Sequence, residues 1–396
     1  MKLHRSTSEA VIQVLDSIFR ENRYADKVIE KTLKSNPRWG ARDRRFIAET
    51  SYDVVRWYRL LKNATDAKGD DFWKLLGGWC ILHEIDLPSW DEFRTLNRQQ
   101  VKRNYDEALE TRKIRESVPD WLDDMGEREL GDRWEKELKA LNEEAQVVLR
   151  TNTLKISKQE LQQQLEDEEV MTSLIVGFPD ALLLNQRQNV FGTQAFKDGL
   201  FEVQDAASQY IAPFLRVEPG MRVIDACAGA GGKTLHLAAL MKNKGKIISM
   251  DVEQFKLDEL QKRARRAGVS NVEIRFIESS KTIKRLENTA DRLLLDVPCS
   301  GLGVLRRNPD AKWKLSEEFI GKVKELQQNI LKDYCDMVKP GGLIVYSTCS
   351  ILPSENEKQV GLFLAENKRF ELTDQKQSMP SSGFDGFYMA LIKRIS

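Results

Sequence analysis

Two cysteines in the carboxyl-terminal half stand where a fold presents reactive groups. Leu293-Leu294-Leu295 runs into Asp296-Val297-Pro298-Cys299-Ser300-Gly301-Leu302-Gly303, an apolar strand pattern that delivers an acid and a thiol into a turn. Fifty residues on, Gly341-Gly342-Leu343-Ile344-Val345-Tyr346 leads into Ser347-Thr348-Cys349-Ser350. Ligands of open α/β sheets bind beyond the carboxyl ends of the strands, so two strand-end thiols can share one substrate. A thiolate is the nucleophile, and an ordinary cysteine is only a few per cent thiolate near neutral pH, so a neighbouring cation would assist it. Lys233, in a glycine-rich loop at the same sheet edge, is the candidate.

That loop, Asp225-Ala226-Cys227-Ala228-Gly229-Ala230-Gly231-Gly232-Lys233-Thr234, follows a strand pattern and opens a helix. A second strand ends in Asp251, twenty-two residues after Gly229, a position suited to ribose hydroxyls. A nucleotide P-loop needs glycine where Cys227 stands, and a dinucleotide fingerprint needs its third glycine at Thr234. What remains is a loop for a nucleoside without pyrophosphate, such as S-adenosylmethionine.

These groups need a scaffold that sets them at one edge. Arg222 to Ala226, Lys246 to Asp251, Val272 to Ile277, Arg292 to Asp296 and Leu343 to Tyr346 read as strands alternating with helices, an α/β domain with a parallel sheet covered on both faces. Ahead of it, Val147 to Thr153, Leu174 to Val176, Ala181 to Leu184 and Leu200 to Asp205 read as strands, and Lys158 to Asp167 as a polar helix, together a small α+β module. The first 144 residues are patterned as helices. Ser6-Thr7-Ser8-Glu9 offers a capping box before Val11, Val14, Leu15, Ile18 and Phe19, and a second helix is expected over about 41 to 61. The expected domains are therefore 1–144, 145–202 and 203–396.

Net charge is +1 over 396 residues, but residues 1 to 60 carry thirteen bases against eight acids, net +5, and residues 106 to 144 seven against fourteen, net −7. Arg38, Trp39, Arg42, Arg44 and Arg45 interleave bases with an aromatic, a pattern suited to phosphate. Five cysteines without a paired framework and three histidines without zinc spacing point to a reduced, cytoplasmic, metal-free protein, and no apolar stretch is long enough for a membrane helix. Cys80 and Cys335 read as core, and His236 as an exposed helix residue rather than a catalytic base, which weakens a hydrolase reading.

Taken together, Gln204-Asp205-Ala206-Ala207-Ser208-Gln209, the 225–234 loop, Asp296 to Gly301, Arg306-Arg307-Asn308-Pro309-Asp310 with Lys312-Trp313, and Tyr346 to Ser350 resemble the Sun-type family of RNA cytosine-5 methyltransferases. The resemblance spans about 145 to 394. Gly386 to Ala390 is similar to the family's closing strand, Leu149 to Lys155 to the opening of its small RNA-binding module, and the first 140 residues to the NusB-like domain of the branch that methylates small-subunit ribosomal RNA.

The resemblance implies a class I, Rossmann-like methyltransferase domain using S-adenosylmethionine, acting on RNA as a monomer. Ribosomal RNA is the expected substrate, with transfer RNA, or a non-catalytic role in ribosome assembly, as alternatives. Spacing leaves open which cysteine attacks, and the resemblance implies that Cys349 attacks while Cys299 assists release. Lys233 and Asp296 would complete the catalytic set. Cys227, Ala228, Gly229, Ala230, Gly231, Gly232, Lys233, Asp251, Glu278 and Asp296 would surround the cofactor, although the family usually places an aspartate where Glu278 stands. Arg150, Asn152, Arg306, Arg307 and Lys312 would contact RNA.

Overall fold

The computed structural model describes residues 2–396. The chain forms two compact units, Met1–Glu143 with Leu305–Glu317, and Glu144–Val304 with Glu318–Ser396.

The first unit is helical. Its leading elements are α1 (Arg5–Phe19), α2 (Ala25–Ser35), α3 (Ala41–Arg56), α4 (Tyr58–Thr65), α5 (Phe72–Leu82) and α6 (Arg98–Ala108). α1 buries Val11, Val14, Leu15 and Ile18 along one face, as their 3.6-residue spacing requires. The expected capping box is not used: α1 starts at Arg5 and its N-cap is His4. The single helix expected over 41 to 61 is broken at Trp57. The carbonyls of Val55 and Arg56, which a continuous helix would bond to residues 59 and 60, instead accept Trp313 Nε1 and Lys312 Nζ, each at 2.8 Å. The Arg59 amide in turn donates to Ser117 Oγ at 2.9 Å. Residues 305–317, carried by the carboxyl-terminal half of the sequence, thus belong to the helical core and set its geometry.

The second unit holds two sheets. The smaller is wholly antiparallel in the order β2-β3-β1-β4, from β1 (Val148–Thr151), β2 (Thr172–Leu174), β3 (Ala181–Leu184) and β4 (Phe201–Val203). Its helix Lys158–Asp167 does carry a capping box, Ser157 with Glu160.

The larger sheet has seven strands in the order β10-β11-β9-β8-β5-β6-β7. These are β5 (Arg222–Asp225), β6 (Lys246–Asp251), β7 (Val272–Phe276), β8 (Ala290–Asp296), β9 (Val338–Thr348), β10 (Phe370–Ser378) and β11 (Phe387–Arg394). The five strands expected from the sequence do form a parallel set, and two further strands extend it. β7, β6, β5, β8 and β9 run parallel, but β11 is antiparallel to both β9 and β10. β10 was hidden because Glu371 to Gln377 is an exposed, mostly polar run at the sheet's edge, with no apolar alternation to announce it. β5 lies between β8 and β6, where the winding direction reverses and a ligand crevice opens. No helix among the described residues is long and apolar enough to cross a membrane.

Candidate active site

The carboxyl ends of β5, β6, β8 and β9 assemble the predicted groups at one edge. Gly231, with φ +86°, turns the loop after β5 into the helix Gly232–Leu240. A methyl group there would sit 2.5 Å from Leu260 Cγ, so glycine is required by both conformation and space. The Gly229 amide donates to Asp251 Oδ2 at 2.9 Å and the Glu253 amide to Oδ1 at 2.9 Å, which ties the loop to the end of β6.

A cavity of about 210 Å³ opens on this loop, lined by Cys227, Ala228, Gly232, Lys233, Asp225 and Asp296 together with Gln204 and Arg263. Asp225 was part of the loop motif but had no assigned role. Its Oδ2 accepts Thr234 Oγ1 at 2.7 Å, while its buried Oδ1 has no donor from the protein. Burial pushes its pKa up to about 7, the Thr234 hydroxyl partly offsets this, and the Asp296 charge adds to it. An orphaned carboxylate oxygen facing a loop whose Gly229 and Gly232 have open space beside them suits a cofactor bearing an ammonium group. Cys227 stays a thiol, because burial and the carboxylates of Asp225, Asp296 and Asp251 oppose its ionisation.

Lys233 Nζ lies 2.5 Å from Asp296 Oδ2, and Ser347 Oγ donates to Asp296 Oδ1 at 2.8 Å. Burial alone would drive the lysine toward neutrality. The Asp296 carboxylate outweighs it, with Cys349 and Asp225 adding to the effect, so the ammonium is held charged.

The thiols meet: Cys299 Sγ is 3.1 Å from Cys349 Sγ, and the Cys349 amide donates to Cys299 Sγ at 3.3 Å. The hydrogen bond with Cys349, then burial and the charge of Glu355, raise the Cys299 pKa well above its ordinary value. The turn is clamped to β9 because the Gly303 amide donates to the Cys349 carbonyl at 2.9 Å, and any side chain at Gly303 would collide with that oxygen.

Several predicted residues lie elsewhere. Arg150 is 3% exposed, and its guanidinium donates to the Gly232 carbonyl at 2.6 Å and to the Gln204 side chain. Burial brings its pKa down to about 10, so it remains a cation that braces the cofactor loop. Asn152, also buried, donates to the carbonyls of Gly199 and Ala267, each at 2.8 Å. Arg306 is buried in the helical unit against the Ala140 carbonyl and Glu143, and Lys312 against the Arg56 carbonyl and Asn142 Oδ1. The expectation that these four contact RNA is therefore revised, since their polar ends are engaged inside the protein. Arg307 is half-buried in the same segment. Glu278 is exposed just after β7 and does not line the cavity. His236, expected on the surface, is 3% exposed with Nε2 3.4 Å from Asp180 Oδ2, and burial pulls its pKa down to about 4. Cys80 and Cys335 are core, as read.

Residues 212–391 match the family described as 16S rRNA methyltransferase RsmB/F, and residues 118–191 match the RsmF/B-like ferredoxin-like domain. A probable ribosomal RNA small subunit methyltransferase B from Synechocystis is 32% identical, covering 98% of this chain and 99% of its own. The ribosomal RNA small subunit methyltransferase B of Proteus mirabilis is 31% identical over 75% of this chain and 71% of its own. Among solved structures, PH0851 superposes with a TM-score of 0.83 at 25% identity, covering both chains in full. A methyltransferase homolog from Pyrococcus horikoshii superposes at 0.64 with 29% identity, over 73% of this chain and 99% of that one. The chain belongs to the ribosomal RNA small subunit methyltransferase B family and is an S-adenosylmethionine-dependent RNA methyltransferase.

Proposed function

We propose that the protein methylates C5 of a cytosine in 16S ribosomal RNA through a covalent bond between Cys349 and C6 of the base, released with help from Cys299. The observation that carries this reading is the pair of strand-end thiols 3.1 Å apart, beside a charged Lys233–Asp296 pair on the cofactor cavity. Asp225, Asp251 and the backbone of the 227–232 loop would hold S-adenosylmethionine, which supplies an electrophilic methyl group.

C5 of cytosine is a poor nucleophile until a thiolate adds to C6. Lys233 would stabilise the Cys349 thiolate that makes this bond, and Asp296 would accept hydrogen bonds from the N4 amino group and a protonated N3, which favours the attack. Once C5 carries the methyl group, its proton must leave. Cys299 accepts that proton as its own passes to the departing Cys349 sulfur, so the C5–H and C6–S bonds break and the C5=C6 bond re-forms. A paired base would have to leave its stack to reach this edge. The names of the relatives point to small-subunit ribosomal RNA as the substrate.

Cys349→Ala is expected to abolish methyl transfer and form no covalent RNA adduct, whereas Cys299→Ala accumulates an adduct resolvable on a denaturing gel. The opposite pattern would exchange the two roles, and no adduct with either variant would remove the covalent step. Bisulfite sequencing of 16S ribosomal RNA from cells with and without the protein tests the substrate, and an unchanged set of protected cytosines rejects it.

A further inference from the structure

Beneath the thiol pair lies a carboxylate that the mechanism has not used. Glu355 is 0% exposed, in the segment after β9. Its Oε1 accepts Ser300 Oγ and Ser350 Oγ, each at 2.5 Å, and its Oε2 accepts the Ser300 amide at 2.8 Å and Gln327 Nε2 at 3.1 Å. Ser300 and Ser350 are the residues directly after Cys299 and Cys349. One side chain therefore grips both cysteine turns at equivalent points. Its own carbonyl accepts Tyr346 Oη at 2.7 Å, and Gln327 also donates to the Pro298 carbonyl at 3.0 Å, so the grip is anchored in β9 and in the helix Glu317–Tyr334.

Removing a carboxylate from water costs several kcal/mol unless its oxygens are well satisfied. Here four donors satisfy it, two of them serine hydroxyls that need no charged partner. An apolar side chain would leave those four donors unsatisfied. What a carboxylate adds is two acceptor oxygens that hold both serine hydroxyls and the Ser300 amide at once, together with a negative charge. That charge opposes ionisation of Cys299, adding to the hydrogen bond with Cys349 and to burial.

We propose that Glu355 is the positioning residue of the thiol pair, holding both sulfurs in register and keeping Cys299 in its thiol form. This rests on the two-cysteine reading given above. The groups acting on Cys299 are Cys349 and Tyr346 from β9, Glu355 from the following segment, and the Gly301 amide, which works in the opposite direction. Beside this carboxylate Cys299 keeps its proton and is hydrogen-bonded to Cys349, 3.1 Å away.

The full chain without RNA provides the test, through the rate of Cys299 alkylation by iodoacetamide in a Cys349→Ser background, followed by mass spectrometry of the Cys299 peptide. Adding Glu355→Gln is expected to speed alkylation at pH 8 at least tenfold, and adding Glu355→Asp, which keeps the charge, to leave it within twofold. With Cys349 present, Glu355→Asp is one methylene too short to hold both turns and is expected to lower kcat for methyl transfer at least tenfold at unchanged KM. A folded Glu355→Gln protein, judged by its melting transition, that alkylates at the parental rate overturns the proposal. So does a Glu355→Asp protein with parental kcat. Should Glu355→Gln not fold, Glu355→Asp decides alone, and a tenfold faster alkylation in it is also fatal. Failure of the two-cysteine reading shows separately, as absence of a Cys349–RNA adduct with these alkylation rates unaffected.

Discussion

Lys233, half-buried, and Lys312, fully buried, are both flanked in sequence by family-like motifs, yet their surroundings assign them opposite work. Lys233 faces a carboxylate, Asp296 Oδ2 at 2.5 Å, and its charge is reinforced. Lys312 donates to neutral oxygens, the Arg56 carbonyl at 2.8 Å and Asn142 Oδ1 at 3.0 Å, and burial, helped by the nearby Arg56 cation and only partly offset by Glu116, pulls its pKa well below the ordinary value. The first is a cation kept for chemistry at a cavity. The second is a donor that closes the end of α3 and fixes the break at Trp57. A buried base thus says little until its partner is known.

The comparison breaks most sharply at Lys233. Lys233→Met removes the cation beside Cys349 and leaves the Asp296 carboxylate without its ion-pair partner, so single-turnover methyl transfer is expected to fall about a thousandfold, on the scale of losing a preorganised electrostatic contact. A loss below tenfold would class Lys233 with Lys312 as structural. His236 extends the comparison to a buried base with a pKa of about 4. Between that value and the ordinary ~6.5, the unfolded chain binds a proton that the folded chain refuses. Stability is therefore lost as pH falls through this window, by about 3 kcal/mol in all. Urea unfolding at pH 7 and pH 4.5 should show a smaller loss in His236→Leu than in the parent. For Lys312 the window is alkaline. From its lowered pKa up to ~10.4 the unfolded chain holds the extra proton, so the parent gains stability with rising pH, by at most about 1.4 kcal/mol per pH unit. Lys312→Met should remove that slope, and an unchanged slope would mean that Lys312 is charged in the fold.

The sequence disclosed the strand ends because their signals are local. Leu293 to Asp296, and Gly341 to Tyr346, each carry their own apolar run and turn residues, and Gly229 to Lys233 carries its own spacing. The pairing of Cys299 with Cys349 followed once both were placed on one sheet. What stayed hidden depends on partners far away in the chain. Arg150 and Asn152 were expected to contact RNA, and nothing local shows that Arg150 bonds Gly232, 82 residues on, or Asn152 Ala267, 115 residues on. Lys312 reaches back 256 residues to Arg56, which no local pattern records. Glu355 stood in a polar stretch without periodicity, and its meaning arose only when two strand ends brought Ser300 and Ser350 onto it.

The same lesson sorts the amino-terminal arginines. Arg44 is committed to the carbonyls of Leu33, Trp39 and Asn36, and Arg45 to Glu49 at 2.7 Å. Arg38 and Arg42 are exposed, and among the described residues their guanidinium groups have no ion-pair partner. Each cation that neutralises a phosphate contributes about 0.9 to the slope of log binding constant against log salt for duplex, and about 0.7 for single strands. Filter binding of a 16S ribosomal RNA fragment across a salt series should therefore lose somewhat more than one unit of slope in Arg38→Ala/Arg42→Ala, while Lys312→Met leaves the slope unchanged. An unchanged slope in the arginine variant would confine phosphate contact to other surfaces, and a shallower slope in Lys312→Met would mean that the 305–317 segment leaves the helical core when RNA binds.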